Sequence, residues 1–202
     1  MIQTKHDFYK VVEERRSIRG ISKETQVTEE RIEEVVAHAL KHAPTAFHSQ
    51  SSRVVVLFGE NHEKLWNITE AALKEVTPAE RFQATADKMA AFRNGFGTVL
   101  FFEDQDVVKD LQERFPLYQD KMPEYSFQAT GILQYIVWTS FHIEGLGASV
   151  QHYNPLIDDA VQKIWDIPNN WQLMAQMPFG HPTEVTGEKQ FASLEERMKV
   201  FK

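Results

Sequence analysis

The feature that most constrains the fold of this chain is one continuous run at residues 42–59, HAPTAFHSQSSRVVVLFG. Pro44 lacks a backbone N–H and disfavours helical geometry at Ala43, so the periodic apolar segment before it must end there. Residues 54–58 are apolar without alternation, which is typical of a strand buried on both faces. The run therefore predicts a helix end, a polar loop and a core strand in immediate succession.

The polar loop of this run, residues 44–51, is called the elbow. A polar loop anchored on a core strand is a common setting for a small-molecule site. Its small residues leave the backbone approachable, while His48 and Gln50 offer side-chain donors and acceptors to a flat ligand rich in heteroatoms. The candidate binding residues of the elbow are Pro44, Thr45, Ala46, His48 and Gln50.

The length, charge and composition of the chain limit its class of function. With 202 residues it fits one domain, residues 1–202, that buries most of its apolar surface. A formal net charge of -7 disfavours partners such as nucleic acid or anionic membrane, which attract basic surfaces. The absence of cysteine excludes disulfides and thiolate chemistry and is compatible with the cytoplasm. Because residues 1–10 have no apolar signal-peptide core, we expect a soluble, cytoplasmic protein.

Apolar periodicity and capping signals predict the secondary structure. Helices are predicted at 8–16, 28–43, 61–73, 77–94, 126–144 and 156–166, and strands at 54–58, 98–102, 148–151 and 171–177. Asn61 and Thr77 are the predicted N-caps, and the helix from Thr28 has Glu29 and Glu30 in its first turn, where acidic residues are favourable. Pro178, Gly180 and Pro182 are expected to end the last strand, and residues 104–106 are expected to form a turn.

The predicted helix at 126–144 is apolar over most of its circumference, which favours a central position in the fold. Gln128, Gln134 and His142 interrupt it, so a membrane span, which needs about 20 predominantly apolar residues, is disfavoured. The carboxyl-terminal residues 183–202 carry several apolar side chains, and we expect them to pack against something such as another subunit.

Guanidinium and hydroxyl groups concentrate in one turn near the amino terminus, residues 15–19, which is called the arginine segment. These groups belong to Arg15, Arg16, Ser17 and Arg19. Guanidinium groups match the bidentate acceptor geometry of a phosphate monoester, so the segment is a candidate phosphate site. The alternative is a solvated helix end balanced by the neighbouring glutamates, because charge runs are usually solvated surfaces. Arg197 and Lys199 could supply further positive charge.

Other motifs give weaker signals. His38 and His42 lie four residues apart on a predicted helix and could share a metal with His48, but the metalloprotease pattern HExxH is absent, and we favour no metal. The glycine pair at 145–147 lacks the third glycine of a dinucleotide loop and follows a helix where that motif should follow a strand. Neither a GxSxG elbow nor a GxxxxGK[ST] loop occurs, which removes the commonest hydrolase and NTPase hypotheses.

Five stretches occur in a characteristic order: RRSIR, PTAFHSQ before the valine strand, GFGTVLFFED, ASVQHYNPLID, and FGHP before a charged tail. Together they resemble the FMN-dependent nitroreductase family, in particular its short bacterial and fungal nitroreductase-like oxidoreductases, over nearly the whole chain. The resemblance implies an α+β fold with a central mixed or antiparallel sheet flanked by helices. It also implies an intertwined homodimer with FMN at the subunit interface.

The resemblance further implies roles for the candidate residues. The arginine segment matches the family segment that holds the phosphate and ribityl chain of FMN, and Arg197 with Lys199 approximates a basic pair that returns to the phosphate. The elbow matches the loop that touches the flavin from the partner subunit, where many members have asparagine at the position of His48. Arg93 is the candidate cation at the pyrimidine edge of the flavin. The segment beside the flavin ring corresponds to Gln151, His152 and Tyr153.

The function implied by the resemblance is an FMN oxidoreductase. It would pass electrons from NADH or NADPH to a small-molecule acceptor, nitroaromatic, quinone-like or related, with donor and acceptor taking turns in one pocket. The cofactor carries the chemistry, so no dedicated catalytic side chain is required. One alternative is a protein that binds or senses flavin without turnover, and another is a metal-binding regulator that uses His38 and His42.

Overall fold

The structure is a computed structural model that describes residues 7–202. Residues 1–6, part of the segment that lacks a signal-peptide core, lie outside the described residues. The α-helices of the described part are Phe8–Glu14 (α1), Glu29–His42 (α2), Gly59–Val76 (α3), Phe82–Arg93 (α4), Gln105–Arg114 (α5), Met122–Ile143 (α6) and Asp158–Ile164 (α7). Short 3-10 helices span Ala46–His48, Ala79–Arg81 and Pro116–Lys121.

The strands form one sheet flanked by the helices. They are Ile21–Ser22 (β1), Ser52–Phe58 (β2), Gly97–Asp104 (β3), Gly147–Ala148 (β4) and Trp171–Pro182 (β5). The strand order is β1, β5, β3, β2, and β4 also pairs with β5. All of these pairings are antiparallel, and an isolated parallel bridge joins Ser17 to Ala148. The predicted α+β fold is confirmed.

Strand β3 is the centre of the molecule, because all of its residues are buried and it pairs with both β2 and β5. Val99 and Phe101 pack into one core with residues of α2 and α6. Leu100 and Phe102 point to the opposite face and pack into a second core with residues of α3, α4 and α7. Helices therefore cover both faces, which explains why the apolar run does not alternate.

The strand predicted at 54–58 is present in β2, and both of its faces pack against the cores, Val54 and Val56 on one side and Val55 and Leu57 on the other. β2 lies at the edge of the strand order and has β3 as its neighbour. Residues 53–56 are only half-buried, whereas Leu57 is buried. The partial exposure of β2 therefore reflects its place at the edge of the sheet.

The start and end of α2 are as predicted. The Thr28 side chain accepts a hydrogen bond from the backbone N–H of Arg31, and Ala43 is the C-cap before Pro44. The caps predicted at Asn61 and Thr77 are wrong. Helix α3 begins two residues before Asn61, whose side chain instead accepts from Trp165, and Thr77 is the C-cap of α3.

The last strand is longer than predicted, because Pro178 does not end it. β5 continues to Pro182, and the Pro178 carbonyl still accepts a hydrogen bond from the Ser149 backbone N–H, at 3.3 Å. Gly180 permits the close pairing with β1, since a Cβ there would lie 2.4 Å from the Ser22 carbonyl oxygen. The extra residues of β5 hold both β1 and β4.

Three other segments differ from the sequence-based prediction. The turn expected at 104–106 is instead the start of α5, with Asp104 as N-cap accepting from the Asp106 backbone N–H. The strand expected at 148–151 is reduced to β4 and an isolated bridge between Gln151 and Gln176, and α7 is shorter than the predicted helix. Helix α5 has too few apolar residues to give a periodic signal, because polar side chains cover all of its surface except a narrow buried stripe.

Helix α6 is the predicted central helix. Its buried stripe, which includes Leu133, Val137 and Phe141, faces the sheet. Its opposite side is also partly apolar, and Phe127 and Ile132 are exposed there by 50% and 41%. Within residues 7–202, no helix is both long and apolar enough to cross a membrane.

Candidate functional site

The arginine segment lies along β4. The Ile18 backbone N–H donates to the Ala148 carbonyl at 2.9 Å, and Ser17 forms a parallel bridge with Ala148. Immediately after the segment, β1 pairs with the end of β5. These contacts bring residues 15–19 beside the segment that contains Gln151 and Tyr153, two groups of candidate residues that are far apart in sequence.

Arg15 is the most distinctive side chain of the arginine segment. Its guanidinium carbon lies 4.2 Å from the ring centroid of Trp138 on α6. Its Nε and Nη1 atoms are buried without a hydrogen-bond partner among the described residues. Burial lowers the pKa of Arg15 from its ordinary value, but a guanidinium remains charged at neutral pH. Arg15 is thus a half-buried cation whose two donor atoms without a partner are available to an anion.

The other arginines of the segment contact the carboxyl-terminal tail. Arg16 donates to the Gly187 carbonyl, and the Arg19 backbone N–H donates to a carboxylate oxygen of Glu184 at 2.7 Å. Hydrogen bonds from the backbone N–H groups of Arg19 and Gly20 lower the pKa of Glu184. The tail therefore crosses the arginine segment before its exposed end, which carries Arg197 and Lys199.

The 151–153 segment is held by β5. Gln151 exchanges two backbone hydrogen bonds with Gln176, at 2.7 and 2.9 Å, and the Gln176 side chain accepts from the Tyr153 backbone N–H at 2.8 Å. His152 is exposed. The Tyr153 hydroxyl is buried without a partner among residues 7–202, and this burial raises the pKa of Tyr153 to about 12, while the charge of Arg19 acts in the opposite direction.

Lys88 on α4 is a candidate that the sequence reasoning missed. Its ammonium lies 5.6 Å from the Tyr153 ring centroid and 5.5 Å from that of Phe92. Burial lowers the pKa of Lys88, and the nearby positive charge of Arg19 lowers it further. Its sequence signal was only a lysine four residues before a phenylalanine on one helix, which is too common to be specific.

Arg93, the cation predicted for the pyrimidine edge of the flavin, is engaged elsewhere in this chain. It forms an ion pair with Glu70 of α3. Its carbonyl oxygen lies 3.2 Å from the His62 ring. The role predicted for Arg93 stays a prediction, and Lys88 lies closer to the other candidates because it shares the surroundings of Arg19 and Tyr153.

The elbow has a strained backbone. Phe47, His48 and Gln50 have positive φ angles of 55, 52 and 51°, in the left-handed region that few non-glycine residues occupy. The Thr45 carbonyl accepts from the His48 backbone N–H at 3.0 Å, and the Thr45 hydroxyl accepts from that of Gln50 at 3.1 Å. Histidine and asparagine are both enriched in this region, so His48 satisfies the backbone requirement that asparagine would satisfy.

A cleft of about 320 Å³ lies beside the elbow. It is lined by Ala37, Leu40, Lys41, Ala43, Thr45, His48, Gln50, Ser52 and Arg53. Pro44 and Ala46, the remaining elbow candidates, are exposed and half-buried respectively. In the described chain, no hydrogen bond or ion pair joins the elbow to the arginine segment. One chain therefore presents these two candidate regions separately.

The structure gives no support to the alternative of a metal-binding regulator that uses His38 and His42. The His38 and His42 rings lie 4.5 Å apart, as their spacing on a helix predicts. Among residues 7–202, however, no group of three or more histidine, aspartate or glutamate side chains could hold a metal ion. Two imidazoles alone do not complete the ligand sets that proteins use for zinc.

Comparison with known proteins identifies the family. A family model described as the nitroreductase family matches residues 12–181. The chain belongs to the nitroreductase family. This oxidoreductase is 35% identical to HBN1 of Saccharomyces cerevisiae over 187 residues, which are 91% of this chain and 92% of that protein. It is 34% identical to nitroreductase FRM2 of the same yeast over 152 residues, 75% of each protein.

Among solved structures, this nitroreductase-family chain is similar to CinD. The structure of nitroreductase CinD from Lactococcus lactis in complex with chloramphenicol has a TM-score of 0.89 and 43% sequence identity, and covers 97% of this chain and 100% of its own. CinD in complex with 4-nitrophenol gives a TM-score of 0.88. A Desulfovibrio desulfuricans protein solved in complex with FMN shares the fold, with a TM-score of 0.68 and 20% identity over 98% of this chain and 99% of its own.

Proposed function

We propose that this nitroreductase-family oxidoreductase binds FMN and passes electrons from NADH or NADPH to nitroaromatic, quinone-like or related acceptors in a ping-pong scheme. The CinD complexes with chloramphenicol and 4-nitrophenol support a nitroaromatic acceptor, and the Desulfovibrio desulfuricans complex supports FMN. FMN, when bound, supplies the hydride chemistry, and the protein supplies binding, orientation and electrostatics. A cytoplasmic location fits the lack of cysteine in the sequence.

The observation that carries the proposal is the unused hydrogen-bonding capacity of Arg15. Its buried Nε and Nη1 atoms have no hydrogen-bond partner among the described residues, and guanidinium donors match the oxygens of a phosphate monoester. The cation–π contact with Trp138 restrains the guanidinium before a ligand arrives. These features favour the phosphate interpretation of the arginine segment over the solvated helix end.

Other residues of the chain would hold the rest of the cofactor. Tyr153 offers an aromatic face and a hydroxyl without a partner among residues 7–202, and Lys88 and Arg19 add positive charge beside it. Positive charge there would favour a ligand that gains negative charge on reduction. These residues would bind and orient the flavin. The electron acceptor would enter the same pocket as NADH or NADPH after the nucleotide leaves.

The experiment that tests the proposal is visible spectroscopy of the purified protein, with and without added FMN. We expect flavin bands that bleach when NADH or NADPH is added without oxygen and that return when 4-nitrophenol is added. A colourless protein that cannot be reconstituted with FMN would contradict the proposal. Flavin that stays oxidised with both nucleotides would instead indicate a binding or sensing protein without turnover.

The same proposal includes an intertwined homodimer. Several apolar side chains of the carboxyl-terminal tail are exposed, and so is part of the outer side of α6. The tail residues are Phe191, Leu194, Met198, Val200 and Phe201. The half-buried edge strand β2 is a third surface that a second chain could cover. Because one chain presents the elbow and the arginine segment apart, a partner's elbow would complete the site.

Light scattering at dilute concentration tests the assembly. Obligate interfaces commonly bury more than about 2,000 Å² and resemble a divided core, so we expect a stable dimer with twice the 23.4 kDa mass of the chain. A flavin-loaded species of 23.4 kDa would refute the dimer and the proposed reach of His48 across the interface.

A further inference from the structure

A buried carboxylate lies beneath the elbow. Glu103 of β3 is 0% exposed and accepts hydrogen bonds from four hydroxyl groups. Ser51 and Ser52, at the junction of the elbow and β2, donate at 2.6 and 2.5 Å. Ser126 of α6 donates at 2.8 Å, and Thr130 of the same helix is the fourth donor. We call these five residues the hydroxyl cage.

The hydroxyl cage balances a buried negative charge without a cation. No arginine, lysine or histidine of residues 7–202 forms an ion pair with Glu103. Burying a carboxylate is costly unless hydrogen bonds replace its lost hydration, and bonds to a charged acceptor are the stronger ones. Four donors from two separate parts of the chain converge on one side chain, so they lose their common acceptor if the carboxylate is removed.

We propose that Glu103 is a positioning residue that holds the elbow in its binding geometry. The cage joins the carboxyl-terminal end of the elbow to α6 through one charged acceptor. The elbow needs such an anchor because Phe47, His48 and Gln50 occupy left-handed geometry, and strained backbone persists only where its surroundings fix it. A Phe47 ring stacked at 4.5 Å on Phe115 restrains the other side of the same loop.

The proposal rests on the proposed function only for its effect on flavin. If the elbow contacts the ring of the flavin rather than its phosphate, loosening the elbow should weaken FMN and riboflavin binding alike. That pattern differs from the loss expected for the arginine segment, where only the ligand with a phosphate should respond. Glu103 acts through the elbow and touches no reacting atom, so it positions and does not catalyse.

The test compares Glu103→Gln with Ser51→Ala by hydrogen exchange of the full-length purified protein. Glutamine keeps the shape of the side chain but replaces one acceptor oxygen with a donor, so four hydroxyls cannot all donate to it. We expect exchange at the amides of His48, Ser49 and Gln50 to rise about ten- to a hundredfold, because bonds to a charged acceptor are lost. Amides of β5 should change by less than about threefold.

The matched control is Thr69→Val, which removes a buried hydroxyl that donates to the Leu65 carbonyl at 2.8 Å, outside the cage. It should leave exchange in the elbow unchanged. An equal rise in the elbow and in β5 would mean that Glu103 merely stabilises the whole fold, and an unchanged elbow would mean that it anchors nothing. Either result overturns the proposal. If Glu103→Gln does not fold, Ser51→Ala decides alone.

Flavin titrations form the second arm. We expect Glu103→Gln and Ser51→Ala to weaken FMN and riboflavin by similar factors, about tenfold each. A loss confined to FMN would assign the effect to the phosphate and overturn the role of the elbow. If the unchanged protein binds neither flavin, the proposed function fails, while the exchange experiment still tests the anchor.

Discussion

The arginine segment and the buried polar groups of β3 differ in where their hydrogen bonds go. In β3, the side chains of Thr98 and Glu103 are 0% exposed, and every hydrogen bond recorded for them is made to another part of the chain. In and beside the arginine segment, Arg15 and Tyr153 have buried polar atoms for which residues 7–202 offer no partner. The satisfied groups of β3 hold parts of this chain together, and the unsatisfied atoms of Arg15 and Tyr153 are left to hydrogen-bond to a ligand.

One chain thus separates groups that bind a ligand from groups that stabilise the fold. Internally satisfied polar groups are expensive to disturb, because removing one partner strands the other in the interior. Unsatisfied groups already carry that cost in the free protein and recover it when a ligand binds. Mutations of satisfied groups should therefore change stability or, as proposed for Glu103, the local geometry that they hold. Mutations in the arginine segment should change affinity directly.

The largest effect is expected for His62, which belongs to the satisfied group. Its Nδ1 lies 2.8 Å from the Thr98 hydroxyl, which also accepts from Trp66 at 3.0 Å. Burial lowers the pKa of His62 to about 4 from an ordinary value of 6.5. The unfolded chain therefore binds a proton between these values and the folded chain does not. Stability should be full above about pH 6.5 and fall by about 3 kcal/mol as the pH drops to about 4.

Urea unfolding of the protein without flavin, repeated from pH 7.5 to 4.5 at one protein concentration, measures this loss. His62→Gln should be less stable at pH 7.5 but should lose much less between pH 6.5 and 4.5. The exposed His38→Gln serves as the matched control and should follow the parent protein. If the pH dependence of His62→Gln equals that of the parent protein, His62 is not the acid-sensitive group.

The next effect concerns Arg15, in the region with unused capacity. Hydrogen bonds to charged groups contribute about 1.5 to 3 kcal/mol, so Arg15→Ala should weaken FMN binding about ten- to a hundredfold. The FMN affinity of Arg15→Lys should lie between those of the parent protein and Arg15→Ala, since lysine keeps the charge but lacks the planar guanidinium. Riboflavin, which has no phosphate, should bind all three proteins within about threefold. Fluorescence-quench titrations of both flavins give these affinities.

The control for Arg15 is Arg114→Ala, which removes a guanidinium paired with Asp110 on the surface of α5. It should change neither flavin affinity nor stability measurably. Equal FMN affinity in Arg15→Ala and the parent protein, or equal losses for FMN and riboflavin, would favour the interpretation of the arginine segment as a solvated helix end.

The smallest effect is expected for Lys88. Its substitution distinguishes a contact to the flavin ring from a contact to the phosphate. Its ammonium lies beside the ring of Tyr153, in the segment that family resemblance places next to the flavin ring. Lys88→Gln should weaken FMN and riboflavin equally, by about two- to tenfold, because cation contacts at exposed sites contribute little. Lys109→Gln, on the exposed surface of α5, is the control. A loss confined to FMN would place Lys88 at the phosphate.

Much of the fold followed from local patterns. The apolar run of β3, the amphipathic face of α2 and the near-continuous apolar surface of α6 each identify an element without reference to the others. The N-cap at Thr28 and the stop at Pro44 are likewise local, because one side chain or one missing N–H decides them. Errors arose where a local signal was weak, as in α5, or where pairing with other strands carried the chain past a proline, as at Pro178.

The site was less predictable, because its geometry depends on groups distant in sequence. Glu103 has the pattern of a charged residue at a strand end, and only the fold brings hydroxyls from the elbow and from α6 onto it. The left-handed geometry of Phe47 has no local signal, since neither glycine nor asparagine stands there. Lys88, Arg19 and Tyr153 lie in three separate parts of the chain, and only the fold brings them close together.

The pairing of β5 determines when during synthesis the site can form. β5 ends at Pro182, and its final residues hold both β1, just after the arginine segment, and β4, on which that segment lies. The arginine segment is made before β5 and therefore reaches its place only after β5 has been made and has paired. We infer that cofactor loading follows this pairing, so a cell that makes this protein must supply flavin to polypeptide in which β5 is already in place.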